Sequence, residues 1–201
     1  VLADALKLSG REILGFVTPD MKTGTNFCGK RILGNDSVIT SYPPNKIELA
    51  NGLGSLPRKS VRWQLSYEMQ KLGYTFASIV HPNAVIATTV RLFEGTQIMA
   101  GAVIQAGTSI GMNSIINTGV CLDHDCSVGA NCHLATGVTC SGGVTIGDNS
   151  HIGTGAMVTE YISIGQNCTI AAGAIVYKNV VDNMRLIQKR VEKLSEKMEE
   201  S

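Results

Sequence analysis

The chain has 201 residues, a formal net charge of +1 and only 16% charged side chains. That length allows one large or two modest domains, and the charge balance excludes a basic field for nucleic acid and an acidic tail. Aromatic side chains make up 5% of the chain while glycine occurs 22 times, a composition of many short turns between narrow strands rather than a sandwich core. The first segment, VLADALKLSG, reads as a helix stopped by Gly10. It opens on Val1 in mid-pattern, so the sequence reads as cut at its N-terminus. No apolar run reaches the length of a membrane span and no charged stretch precedes a short apolar one. The expected setting is therefore soluble and cytoplasmic, without a membrane or nucleic-acid partner.

Strands are expected at Glu12–Val17, around Arg31–Leu33 and at Lys46–Ala50. After NGLGSLP comes RKSVRWQLSYEMQKLG, an amphipathic helix closed by Gly73, and then the strand TFASIV. The alternation predicts a small α/β unit with a parallel, Rossmann-like sheet. Asn51 to Ser55, with Gly52, is a glycine-rich strand-to-helix turn whose amides would face a phosphate or simply make an ordinary βα turn. Asp20 would meet a ribose or cap a turn.

The next hundred residues carry a repeat, and the repeat sets the fold. Counting by six from Ile86 gives Ile86, Leu92, Ile98, Ile104, Ile110, Ile116, Leu122, Val128, Leu134, Cys140, Ile146, Ile152, Val158, Ile164, Ile170 and Val176, all apolar. Four places after each stands a small or β-branched residue. Gly follows the apolar residue directly at 111, 129, 147, 153 and 165, and is read as tolerating a corner. A period of six fits three flat faces per coil, so eighteen residues return the chain to its starting direction one strand spacing higher, roughly 4.8 Å. The fold class is mainly β: a left-handed parallel β-helix, the known exception to right-handed crossovers. Cys126, Cys132, Cys140 and Cys168 fall at inward positions and Cys121 at a corner; with no CxxC pair they read as reduced core thiols. Beyond the coils, Asp182 or Asn183 should start a helix with a heptad seam of Met184, Ile187, Val191, Leu194 and Met198. Two heptads need partner helices, which a threefold oligomer supplies.

Polar residues break the hexad pattern in one stretch, Ile115 to Ala156. Gly142 lies eighteen residues after His124 and so directly above it. His151 lies likewise above His133. His124 stands between Asp123 and Asp125, and a carboxylate beside an imidazole fixes its tautomer and favours its protonated form, as a general base requires. Gly142 offers a bare backbone N–H for an oxyanion. A solvated polar pair is the plainer reading of the same residues. His124 and His133 differ by nine, half a coil, and so belong to opposite parts of one prism.

The run Asn117-Thr118-Gly119, Asp123-His124-Asp125-Cys126, His133, Gly142-Gly143 and Ile146-Gly147, with TFASIVHPNAVI before it, resembles the hexapeptide-repeat sugar acyltransferases of the sialic acid O-acetyltransferase and nucleotide-4-amino-sugar N-acetyltransferase type. The resemblance covers residues 1 to 180. It implies an acetyl-CoA-dependent enzyme in which His124 deprotonates the acceptor, Asp125 polarises it, Gly142 holds the thioester oxygen and His133 contacts the acetyl end. It implies acetyl-CoA along the coils near Thr154 and Ala172, and an acceptor near Asn117, Asp20 and Gly52. Residues 1–80 then form a truncated nucleotide-sugar-binding α/β domain, 81–181 the catalytic β-helix and 182–201 a C-terminal helix. The assembly would be a homotrimer with its site between subunits.

The chain departs from that family at both ends. Members begin with a strand and a Gly-rich, His-containing loop just before the helix corresponding to VLADALKLSG, and finish with a short Gly-x-Pro-Ala tail. N-acetylation of a nucleotide-linked amino sugar is the preferred reading, O-acetylation of a sialic-acid-type sugar the alternative, and a catalytically silent trimeric scaffold a third. A metal-dependent hydratase on the same helix would need His ligands spaced H-x4-H, which the sequence lacks, so no metal is expected.

Overall fold

The computed structural model describes residues 1–55 and 60–187. From Ile79 onward the chain is a left-handed coil of two-residue strands in three parallel sheets. The first face stacks seven strands, Ile79–Val80, Gln97–Ile98, Ile115–Ile116, His133–Leu134, His151–Ile152, Thr169–Ile170 and Arg185–Leu186. The second carries six, from Val85–Ile86 to Ile175–Val176, and the third five, from Arg91–Leu92 to Ser163–Ile164. Strands from Ile79 to Val176 pair in register at eighteen residues, as in Ile116 with Leu134 and Leu134 with Ile152. The apolar residue of each hexad points inward. Ile98, Ile104, Ile116, Leu122, Leu134, Ile152 and Ile170 are at most 1% exposed, each worth about 1.5–3 kcal/mol by burial. The small inward positions include Ser114 and Ser150. Each hydroxyl donates to a carbonyl fifteen residues on, three short of a full coil, Gly129 and Gly165, and accepts the amide of Cys132 or Cys168.

Every sixth residue from Gly95 to Gly173 has a left-handed backbone, three places after the inward apolar residue. These are the second residues of tight corner turns, which demand positive φ and so favour Gly, Asn or Asp. The glycines at 111, 129, 147, 153 and 165 are therefore not the corner residues expected from the sequence. Their φ is ordinary, and they are glycine because a Cβ would strike the next coil. It would lie 2.5 Å from the Gln166 nitrogen at Gly147 and 2.5 Å from the Ala172 nitrogen at Gly153. Cys121 is also not at a corner but in a strand of the second face. Cys126, Cys132, Cys140 and Cys168 are buried free thiols, and burial pushes Cys132 up to about 12.

Helix α1 (Leu2–Leu8) packs Ala5 against Ala77 and Ile79, and Gly10 ends it at φ 73°. Strands β1 (Phe16–Val17), β2 (Asn26–Phe27) and β3 (Lys30–Gly34) form a mixed sheet, β1 parallel and β2 antiparallel to β3. The wholly parallel sheet expected here is thus broken by a hairpin, and Lys46–Ala50 contributes only a parallel bridge from Leu49 to Phe76. Helix α2 (Val61–Lys71) ends before Gly73 as the sequence indicates, but its buried residues are Arg62, Ser66 and Met69 while Trp63 and Tyr67 are exposed. The polar stripe has a partner. Asn51 donates to the Arg62 carbonyl and the Ser66 hydroxyl, Arg62 donates to the Asn51 and Leu53 carbonyls, and Gln97 of the first coil face donates to Asn51.

The C-terminal helix does not begin at Asp182 or Asn183. Asp182 accepts the Gln166 amide and Arg185–Leu186 adds a strand to the first face, paired sixteen rather than eighteen residues from Thr169–Ile170. The coil so runs from Ile79 to Leu186, beyond the expected limits of 81 and 181. Val191, Leu194 and Met198 lie outside the described residues. Among the described residues, no helix is long and apolar enough to cross a membrane, and no cluster of three or more His, Cys, Asp and Glu is placed to hold a metal ion.

Candidate active site

The turn Asp123-His124-Asp125-Cys126 makes the corner between the second and third faces. Asp123 accepts the His124 amide at 2.8 Å, and Asp125 takes the left-handed position at φ 57°. That twist brings the Asp125 carboxylate 2.9 Å from His124 Nδ1. With the carboxylate accepting, the proton lies on Nδ1 and the Nε2 lone pair is left to face solvent. The hydrogen bond to Asp125 raises the imidazole pKa above its ordinary value. Desolvation opposes the rise, and the charges of Asp123 and Asp125 add to it.

Gly142 lies one coil above, and the ring folds over it. A Cβ on Gly142 would sit 2.6 Å from both Nε2 and Cε1, so only glycine lets the ring occupy this place. The backbone of the column is continuous, with Gly143 N–H donating to the His124 carbonyl and Tyr161 N–H to that of Gly142, each at 2.9 Å. The first amide of a corner turn points away from the coil ladder. At Ala130 and Gln166 it is taken by the carboxylates of Asp148 and Asp182. Among the hydrogen bonds of the described residues, Gly142 N–H has no acceptor. The corner thus places an unpaired donor beside a carboxylate-supported imidazole.

The other expected site residues stand elsewhere. His133 is on the first face, where its Nδ1 donates to the Ser55 carbonyl at 3.0 Å and Asn117 Nδ2 approaches its Nε2 at 3.4 Å. Its ring meets His151 edge to face at 4.8 Å. Burial, then the charge of Arg62, lowers the His133 pKa against the opposing bond to Ser55. Burial, and secondarily His133, holds His151 at about 4. Asn117 therefore joins His133, not His124. Thr154 and Ala172 are exposed and stacked on the corner between the first and second faces, where Gly173 N–H donates to the Thr154 carbonyl at 2.8 Å. Asp20 is exposed after β1, its amide bonded to the Thr18 hydroxyl. Gly52 is exposed, but the adjacent Leu53 amide turns back to Asn51 Oδ1. Only His124, Asp125 and Gly142 are brought together within one chain. Sequence reasoning passed over Tyr161, whose ring lies against Gly143 in the same corner. Counting by six from Gly95 would have exposed it as a bulky side chain among Gly, Asn and Asp.

This coil is shared with known proteins. Residues 143–178 match the bacterial transferase hexapeptide family and residues 124–160 the hexapeptide repeat of succinyl-transferase. A histidine mutant of perosamine N-acetyltransferase from Caulobacter crescentus, in complex with CoA and GDP-perosamine, superposes with a TM-score of 0.81 at 30% identity, over 92% of this chain and 86% of its own. The chain belongs to the hexapeptide-repeat sugar acyltransferase family. It is thus an enzyme built on an acyltransferase scaffold. The acetyltransferase domain of PglB from Neisseria gonorrhoeae, in complex with acetyl coenzyme A, superposes at 0.83 with 28% identity over 92% of this chain and 88% of its own. WeeI from Acinetobacter baumannii shares the fold, at 0.75 over 85% of this chain and 81% of its own, with 24% identity. No curated protein matches the sequence significantly.

Proposed function

We propose that this enzyme moves the acetyl group of acetyl-CoA directly onto the amino group of a nucleotide-linked 4-amino sugar. The observation that carries the reading is the His124 ring, bonded to Asp125 and seated over Gly142. The amine nitrogen attacks the thioester carbonyl carbon and gives its proton to His124 Nε2. Gly142 N–H holds the oxygen that becomes negative in the tetrahedral intermediate. The C–S bond then breaks, and the thiolate of CoA takes the proton back from His124. No cysteine needs to be acylated.

Charge favours the amine acceptor over a sialic acid. The corner turns at 106–107, 124–125, 142–143 and 160–161 contain Asp125 and Glu160 with Asp123 alongside, and no Lys or Arg. An ammonium is attracted to such a corner, and a sugar carrying its own carboxylate is repelled. We assign acetyl-CoA to the corner of Thr154 and Ala172, where Gly155 and Gly173 leave open space for close approach. The nucleotide belongs on the side of Asp20 and Gly52, above the buried Arg62. Because these positions lie on other edges of the prism than His124, the reading requires neighbouring copies to complete the site, as a homotrimer. The outward residues Val85, Met157 and Ile175, 62%, 47% and 47% exposed, give the second face the apolar surface such a neighbour covers.

The test is transfer from acetyl-CoA to paired nucleotide sugars that differ only in a 4-amino or 4-hydroxyl group, with wild-type and His124→Ala enzyme. Transfer to the amine alone is expected, slower by about 10²–10⁴-fold in the variant at unchanged acetyl-CoA affinity. Equal transfer to the hydroxyl, or near-normal turnover by His124→Ala, would contradict the reading.

A further inference from the structure

We propose that Tyr161 determines acceptor specificity by forming the upper wall of the acceptor site, with the apolar face of the sugar ring packing against its phenol. The inference rests on the assignment of the His124 corner as the site of acetyl transfer to a sugar.

Tyr161 holds φ at 56°. From Gly95 to Gly173 the other residues at the left-handed corner position are Gly, Asn or Asp. Those types visit that region readily, whereas a bulky side chain is strained there. A strained residue persists where its surroundings hold it and clusters where function is performed.

Its surroundings are the site itself. The Tyr161 amide donates to the carbonyl of Gly142 at 2.9 Å, the residue whose own N–H is assigned above to the reacting oxygen. The ring folds down one coil onto Gly143, where a Cβ would lie 2.5 Å from Cδ1 and 2.7 Å from Cε1. Gly143 is therefore the bare floor that lets the ring lie down, as Gly142 is for the His124 ring. Both glycines belong to one turn, so the imidazole and the phenol meet the same peptide segment from below and above. Tyr161 nevertheless remains 75% exposed. A large aromatic surface next to a transfer site, laid against Gly143 and left open, suits a sugar. A pyranose presents a face of C–H groups that packs on a π-surface, while its polar groups stay at the rim.

The plainer account is that the ring only shields Gly143 from water. The two accounts differ in what Tyr161→Asn does. Asn is the residue this corner position commonly carries, so the fold is kept and backbone strain is relieved. Specificity by Tyr161 predicts a KM for the 4-amino nucleotide sugar raised about tenfold or more, with the KM for acetyl-CoA unchanged and kcat within about threefold of wild type. Tyr161→Phe, which keeps the ring, should retain the wild-type acceptor KM. Shielding alone predicts a lower melting temperature for Tyr161→Asn and no change in acceptor KM. Wild-type enzyme that turns over the amino sugar, together with Tyr161→Asn whose acceptor KM stays within about twofold, overturns the role of Tyr161 and leaves the proposed reaction standing. A wild-type enzyme that acetylates no nucleotide amino sugar overturns both.

Discussion

His124 and His133 stand nine residues apart on the same coil, and their surroundings turn one side chain into two different groups. His124 projects at a corner, 53% exposed, with one nitrogen on Asp125 and the other free. His133 lies on a flat face under the loop from the α/β unit, with a nitrogen on Ser55, the other facing Asn117, and His151 stacked against its ring. The carboxylate raises the pKa of the first, and burial lowers that of the second. A corner lets a side chain reach solvent and gives the next residue the left-handed twist that swings its own side chain back. A flat face stacks like upon like at the strand spacing and passes its outward groups to whatever packs there. The first arrangement suits proton transfer and the second suits holding the Ser55 loop against the coil.

The comparison can be broken most sharply at Gly142. Gly142→Ala places a methyl 2.6 Å from Nε2, so the imidazole must leave its position. Misplacement of a reacting group by an ångström costs about 10²-fold, and kcat/KM should fall about 10–100-fold. The nearest atoms the methyl meets belong to the His124 ring, which can swing aside, so the melting temperature should stay near that of the wild type. A variant as active as the wild type would show that the seat of the ring over Gly142 does not matter to turnover.

The flat-face pair should show itself in stability rather than rate, and by a smaller effect. His151 is held near 4, below the ordinary value of 6.5, so it stays neutral in the folded chain while the unfolded chain takes up a proton. Stability from this group is present above about pH 6.5 and is lost as the pH falls from there toward 4. The melting temperature of wild-type protein should therefore drop over that window, and that of His151→Leu should drop less. Parallel curves for the two proteins would mean that the stacked pair is not the source.

Much of this was legible in the sequence because a period of six constrains every residue at once. Sixteen apolar residues in register define the coil, and eighteen-residue arithmetic put Gly142 above His124 and His151 above His133, as the strand pairing has it. The glycines were harder. Conformational need and steric need both select glycine, and only the backbone angles separate Gly143, at φ 68°, from Gly147, which must avoid the coil above. The attachment of His133 to Ser55 was beyond reach, since a contact across 78 residues depends on how the α/β unit docks. The end of the coil is hidden in the sequence for a related reason. Asp182 and Asn183 make good helix starts, but here Asp182 caps the Gln166 amide and Asn183 accepts from Asn167, ending a ladder of asparagines along one corner. Tertiary pairing overrode a local signal.

If Asp125 tunes His124 as the base, the pH dependence of kcat/KM will carry its mark. The base works unprotonated, so activity should fall as the pH drops through its raised pKa, above 6.5. Asp125→Asn fits the left-handed corner as well as Asp does, yet removes the charge and the acceptor that favour the imidazolium. The acceptor amine titrates identically with both enzymes, so any difference in the acidic limb belongs to His124. The limb should move to lower pH in Asp125→Asn while the maximal rate falls. An acidic limb at the same pH in both enzymes would contradict it.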